Sequence, residues 1–130
     1  DDGARRRNNI TLEYSSVKAV RAAKREFNMI SKLIMCFLRH LLEEVAFDTS
    51  NQALPFKDVI HGAGLESSEP THPPEKFARV YAQALKQGYL PVAHAGEEGP
   101  VEYARDALEI LFVTGERIFE AFEKRMTVPY

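Results

Sequence analysis

KAVRAAKREF (residues 18–27) is followed five residues later by LIMCFLRHLLEEV (residues 33–45), and the fold turns on whether the two stretches form one element. Neither Pro nor Gly lies between them. Val20, Ala23, Phe27, Ile30, Ile34, Phe37 and Leu41 follow one another at spacings of three and four. At 3.6 residues per turn such spacing places apolar side chains on one helix face. The pattern predicts a single helix from about Ser16 to about Phe47, with Ser15 or Ser16 as its N-cap.

Around this rod the chain reads as three further helices. Asp48, Thr49, Ser50 and Asn51 carry side chains that compete for backbone hydrogen bonds, so they are expected to end the first helix. Pro55 suits a first helical turn and Gly62 a position just past a helix end, which gives a short helix over Phe56 to His61. GAGLESSEPTHPP (residues 62–74) shows no periodicity and reads as a loop. Phe77, Val80, Tyr81, Ala84 and Leu85 mark an amphipathic helix from about Pro74 to Gln87, closed by Gly88. HAGEEG (residues 94–99) reads as a turn-rich connector. A last long helix starts near Pro100, with Val101, Ala104, Leu108, Leu111, Gly115, Ile118 and Phe122 on one seam. The expected fold is therefore all-α: an irregular bundle of about four helices, two long and two shorter, with a long Pro/Gly/Ser-rich loop. Residues 1–14 are expected as a flexible basic arm and 15–130 as a single helical domain.

Composition sets outer limits. With 45% apolar and 28% charged residues the chain is too apolar to remain disordered. Its single cysteine, Cys36, rules out an internal disulfide framework and fits an intracellular setting, cytoplasmic or nuclear. No apolar run approaches the roughly 20 residues that cross a bilayer, so no membrane partner is expected. The start at Asp1-Asp2-Gly3, without Met, suggests a segment of a longer protein.

Charge is distributed unevenly. Residues 1–40 carry nine Lys or Arg against four Asp or Glu, and residues 41–130 carry eight against fifteen. On the first predicted helix Lys18, Arg21, Arg25 and Lys32 share a sector opposite the apolar stripe, and Glu102, Asp106 and Glu109 begin an acidic line on the last. Complementary rails of this kind suit a protein partner or a homo-oligomer. The expected function is accordingly a non-enzymatic helical interaction or assembly module that uses these seven residues. The alternative is nucleic-acid binding through Arg5, Arg6 and Arg7 on the arm together with Lys18, Arg21, Arg25 and Lys32. A pI near 6.1 and the lack of aromatics among these cations speak against a stacking platform.

Other motifs carry less. Leu38 to Leu42 spell LxxLL, which a leucine-rich core helix produces by chance. The GxG at Gly62–Gly64 is followed by acidic residues, the wrong sign for phosphate. His40, His61, His72 and His94 are scattered without ligand spacing, so no metal, cofactor or catalytic residue is expected. Asp58 and His61, three apart, could orient an imidazole, but no nucleophile accompanies them.

Overall fold

The structure, a computed structural model, describes residues 2–112 and 118–119, with side chains described from Ser15 to Phe112. Helices and strands alternate along the chain: α1 (Asp2–Phe27), β1 (Leu33–Leu38), α2 (Glu43–Ala53), β2 (Ile60–Glu66), α3 (Ala78–Lys86), β3 (Leu90–Pro91), β4 (Ala93–His94), α4 (Glu102–Glu109) and β5 (Ile118–Phe119). Every strand pairing among the described residues is parallel: β1 with β2, β2 with β3, β4 with β5. Parallel neighbours need a crossover, and the helices supply it. The fold is α/β, and the all-α bundle is overturned.

The single rod fails at Asn28. This residue takes φ +52, and its amide donates to the Lys24 carbonyl at 3.0 Å. That is the left-handed termination which Asn, after Gly, tolerates best. Beyond it the apolar run LIMCFL is extended. Met35 and Phe37 point to one side and are buried, as is Arg39 just past the strand, while Ile34 and Leu38 lie half-open on the other. The spacing of three and four that suggested a helix joined residues of two unrelated elements. A short apolar run does not distinguish strand from helix by periodicity alone. Phe27 and Ile30, expected on the buried stripe, are 71% and 79% exposed.

β2 takes up the last two residues of the short helix expected over Phe56 to His61 and the first five of the supposed loop. Its register runs from Leu33↔Ile60 to Leu38↔Glu66, with a bulge between Leu33 and Ile34. Gly62 and Gly64 face the same side as Ile34 and Cys36. A Cβ at Gly62 would meet the Ile34 side chain at 3.1 Å, and one at Gly64 would meet Ile34 at 3.1 Å and the Cys36 sulfur at 3.2 Å. The glycines thus mark a close approach inside a strand. β3 and β4 are separated by Val92 alone, whose amide donates to the Ala63 carbonyl at 2.8 Å. The extended segment 90–94 therefore bonds to β2 on one flank and to β5 on the other.

The helices cover the side of the sheet that carries Met35, Phe37, Ala63 and Leu65, packing Ala46, Ala53, Phe77, Val80, Tyr81 and Ala84 against it. Phe37 meets Tyr81 edge to face, with centroids 5.7 Å apart, and Tyr81 Oη donates to the Val92 carbonyl at 2.6 Å. The helix expected over 74–87 holds, as a 3₁₀ turn (Pro74–Phe77) leading into α3, and Gly88 follows at φ +87. The turn-formers Asp48 to Asn51 sit inside α2, where Thr49 Oγ1 donates back to the Val45 carbonyl. The helix expected from Pro100 is present as α4, eight residues long. It stops at Glu109 rather than continuing, Phe112 takes φ +56 and Ile118, expected on its seam, lies in β5, while Gly115 and Phe122 lie outside the described residues.

Phe37→Ala gauges the packing of the strand, and Phe27→Ala, which would be buried in a continuous helix, separates the two arrangements. Phe37→Ala is expected to cost about 3–5 kcal/mol, read from chemical denaturation. Phe27→Ala is expected to shift stability by no more than about 0.5 kcal/mol.

Candidate active site at the strand ends

In open parallel sheets the chain turns outward at the carboxyl ends of the strands, and side chains there are free to meet a ligand. β2 ends at Glu66 and runs into Ser67 and Ser68. β4 ends at His94 and runs into Glu97 and Glu98. These six residues line a cleft of about 500 Å³ that opens to solvent. His94 lies between two carboxylates: its Nε2 is 3.9 Å from Glu66 Oε1 and its Nδ1 4.0 Å from Glu97 Oε2. Ser67, on the rim, takes φ +81 and shares a 2.6 Å hydrogen bond with His40 Nδ1. A non-glycine residue held there is strained, and such strain concentrates at functional sites.

Behind the cleft lies a buried ion pair. Arg39 and Glu69 are 0% and 1% exposed, with Nη1 and Oε1 3.1 Å apart. Arg39 also donates to the His94 carbonyl at 2.9 Å and, through Nε and Nη2, to the His72 carbonyl at 3.1 and 2.8 Å. Glu69 accepts from the amides of Gly96 (2.9 Å), Glu98 (2.7 Å) and Gly99 (2.8 Å). Burial pushes the Glu69 carboxyl up, yet the amides of Gly99 and Glu98, the Arg39 charge and the Gly96 amide outweigh it and hold the group below its ordinary value. Burial lowers Arg39, and Glu69 partly offsets this. Cys36, near Glu66, is pushed up to about 12 by burial first and then by that carboxylate, so it stays a thiol.

The residues expected to form a docking surface lie elsewhere. Arg21 is bound to Asp58 through Nη2 at 3.0 Å, an exposed pair within the chain. Arg25 is 3.7 Å from its neighbour Glu26. Lys18 is exposed on α1, and Lys32 is exposed in the connection before β1. Glu102 and Glu109 are exposed on α4, with Asp106 half-buried between them. The side chains of Arg5, Arg6 and Arg7 lie outside the described residues. The Asp58–His61 pairing is not a carboxylate–imidazole contact, because His61 Nε2 meets the Asp58 backbone carbonyl at 3.2 Å. Sequence reasoning passed over Glu66, His94, Glu97, Arg39 and Glu69. The available signal was an acidic stretch directly after a short run of small and apolar residues that includes glycine, which occurs twice: GAGLESSE and VAHAGEEG.

Comparison with known proteins supplies the family context. A family model described as adenosine deaminase matches residues 8–119. An adenine deaminase from Acinetobacter baylyi is 57% identical over 96 residues, covering 74% of this chain and 29% of that protein. One from Cupriavidus taiwanensis is 57% identical over 93 residues, covering 72% and 26%. Among solved structures, an adenine deaminase from Arthrobacter aurescens superposes with a TM-score of 0.68 at 40% identity over 74% of this chain and 29% of that one. An amidohydrolase from Burkholderia ambifaria with bound Zn does so at 0.72 and 28%, over 78% and 28%. The chain thus spans less than a third of the relatives it matches. These matches overturn the non-enzymatic assembly module and its nucleic-acid alternative, because the family model and the relatives are those of deaminases and an amidohydrolase. Among the described residues no helix is long and apolar enough to cross a membrane.

The depressed Glu69 carboxyl has a pH signature. The folded state binds this proton more weakly than the unfolded chain, so its contribution is complete above the ordinary value of 4.5 and fades as pH falls through the lower folded value. Glu69→Gln should therefore lower the melting temperature at neutral pH and flatten its decline in acid, as thermal melts from roughly pH 3 to pH 7 would read.

Proposed function

The chain belongs to the adenosine deaminase family, and we propose that it forms part of the active site of a zinc-dependent deaminase that hydrolyses the amino group of adenine. The observation that carries this reading is the convergence of His94, Glu97 and Glu66 on one cleft at the ends of parallel strands. The names of the relatives support adenine as the substrate, and the zinc of the Burkholderia structure supports the metal.

The donors present suit zinc. It takes imidazole nitrogen and carboxylate oxygen, and His94 offers an imidazole at a cleft wall with carboxylates on either side. The described residues contain no group of three potential ligands, so His94 would be one member of a set completed by residues outside them. When bound, zinc supplies a water acidified enough to act near neutral pH. This reading replaces the expectation that the scattered histidines hold no metal.

The remaining work falls to side chains. Hydrolytic deamination adds water at the carbon bearing the amino group and expels ammonia. One proton leaves the water, and one must reach the ring nitrogen or the departing amine. Glu97 is placed for both, being half-exposed in the cleft and next to His94. Glu66 and the hydroxyls of Ser67 and Ser68 offer acceptors and donors to the edge of a purine. Glu98 faces the same cleft while its amide is fixed to Glu69.

A chimera tests the reading directly. The matching segment of the Acinetobacter baylyi adenine deaminase is replaced with that of this chain, and ammonia release from adenine and from adenosine is measured. Activity on adenine is expected. Glu97→Gln should reduce kcat by about 10²–10⁴ with zinc retained, and His94→Ala should reduce both zinc content and activity. A well-folded, zinc-loaded chimera inert toward adenine would count against the proposal.

A further inference from the structure

The cleft is built on a loop that cannot hold itself. HAGEEG has two glycines in six residues, with Gly96 at φ +78, and its two glutamates reach toward solvent. Its backbone is nevertheless tied at four points: the His94 carbonyl by Arg39, and the amides of Gly96, Glu98 and Gly99 by Glu69. Glu97 sits between the second and third of these points. Neither Arg39 nor Glu69 lines the cleft. A buried ion pair is a weak source of stability compared with apolar side chains of the same volume. Apolar side chains, however, cannot accept three amides and donate to two carbonyls in fixed directions.

We infer that the Arg39–Glu69 pair is a positioning device for the reaction: it clamps the backbone on both sides of Glu97 and at His94, so that the carboxylate and imidazole face the substrate at a set separation. Both residues act through others, and neither touches the reacting atoms. The inference rests on the deaminase reading for its purpose, while the clamp itself can be tested without it.

The decisive variant is the apolar replacement Arg39→Met with Glu69→Leu, made in the chimera. If the pair served only to fill space, this double variant would deaminate like its parent, because such swaps commonly keep or raise stability. As a positioning device its loss should lower kcat by about 10², with KM changed less than roughly threefold and zinc content near that of the parent, while the backbone amides and carbonyls left without partners lower the melting temperature. Parental kcat in the double variant overturns the inference. Should the variant fail to fold, hydrogen exchange on the unaltered chimera decides: amides of Gly96, Glu98 and Gly99 that exchange as slowly as strand amides support the clamp, and exchange at open-loop rates overturns it. Inactivity of the unaltered chimera would sink the deaminase reading, while the exchange rates would still report on the clamp.

Discussion

Arg39 and Glu69 meet at 3.1 Å with almost no water around them. A guanidinium offers five donors in a rigid fork, and a carboxylate about four lone-pair sites. Here the fork reaches two carbonyls as well as Glu69, and the carboxylate takes three amides as well as Arg39. Each ion is thereby compensated for lost hydration, which a lone salt bridge in the interior is not. Lys76 Nζ adds a donor to the Arg39 carbonyl, and the Tyr103 ring lies 5.6 Å from the guanidinium carbon. Loops that follow three different elements converge on this one pair.

The sheet makes the convergence possible. Parallel strands bring the carboxyl ends of β1, β2 and β4 to one rim, so residues far apart in sequence emerge side by side: Arg39 one past β1, Glu66 at the end of β2, His94 at the end of β4. The helices beneath fix strand heights through a dry layer in which Phe37, Leu65, Phe77, Val80 and Tyr81 are essentially inaccessible. Glu43 reinforces that layer by accepting from the Arg79 and Val80 amides at the start of α3. Rigidity in the layer is what allows short, polar loops above it to present chemistry.

Local patterns in the sequence revealed the parts that depend on local forces. The α3 stripe and its Gly88 stop could be read because amphipathic period and left-handed termination are both short-range. β1 was misread because six apolar residues satisfy either period, and because Asn28 was not weighed as a helix terminator. Arg39 was not singled out, since nothing nearby in sequence shows that its partner lies thirty positions on. His94 and Glu97 were missed for the same reason. HAGEEG resembles any turn until the strand beside it is known to be parallel.

Gly62 and Gly64 have an evolutionary implication. Because β2 presents bare backbone at these two positions, the face of the sheet turned away from the helices is drawn by the side chains of β1, Ile34 and Cys36, which lie across it. Mutational drift that reshapes this face would then proceed through Ile34 and Cys36, while any side chain gained at the glycines would collide with them.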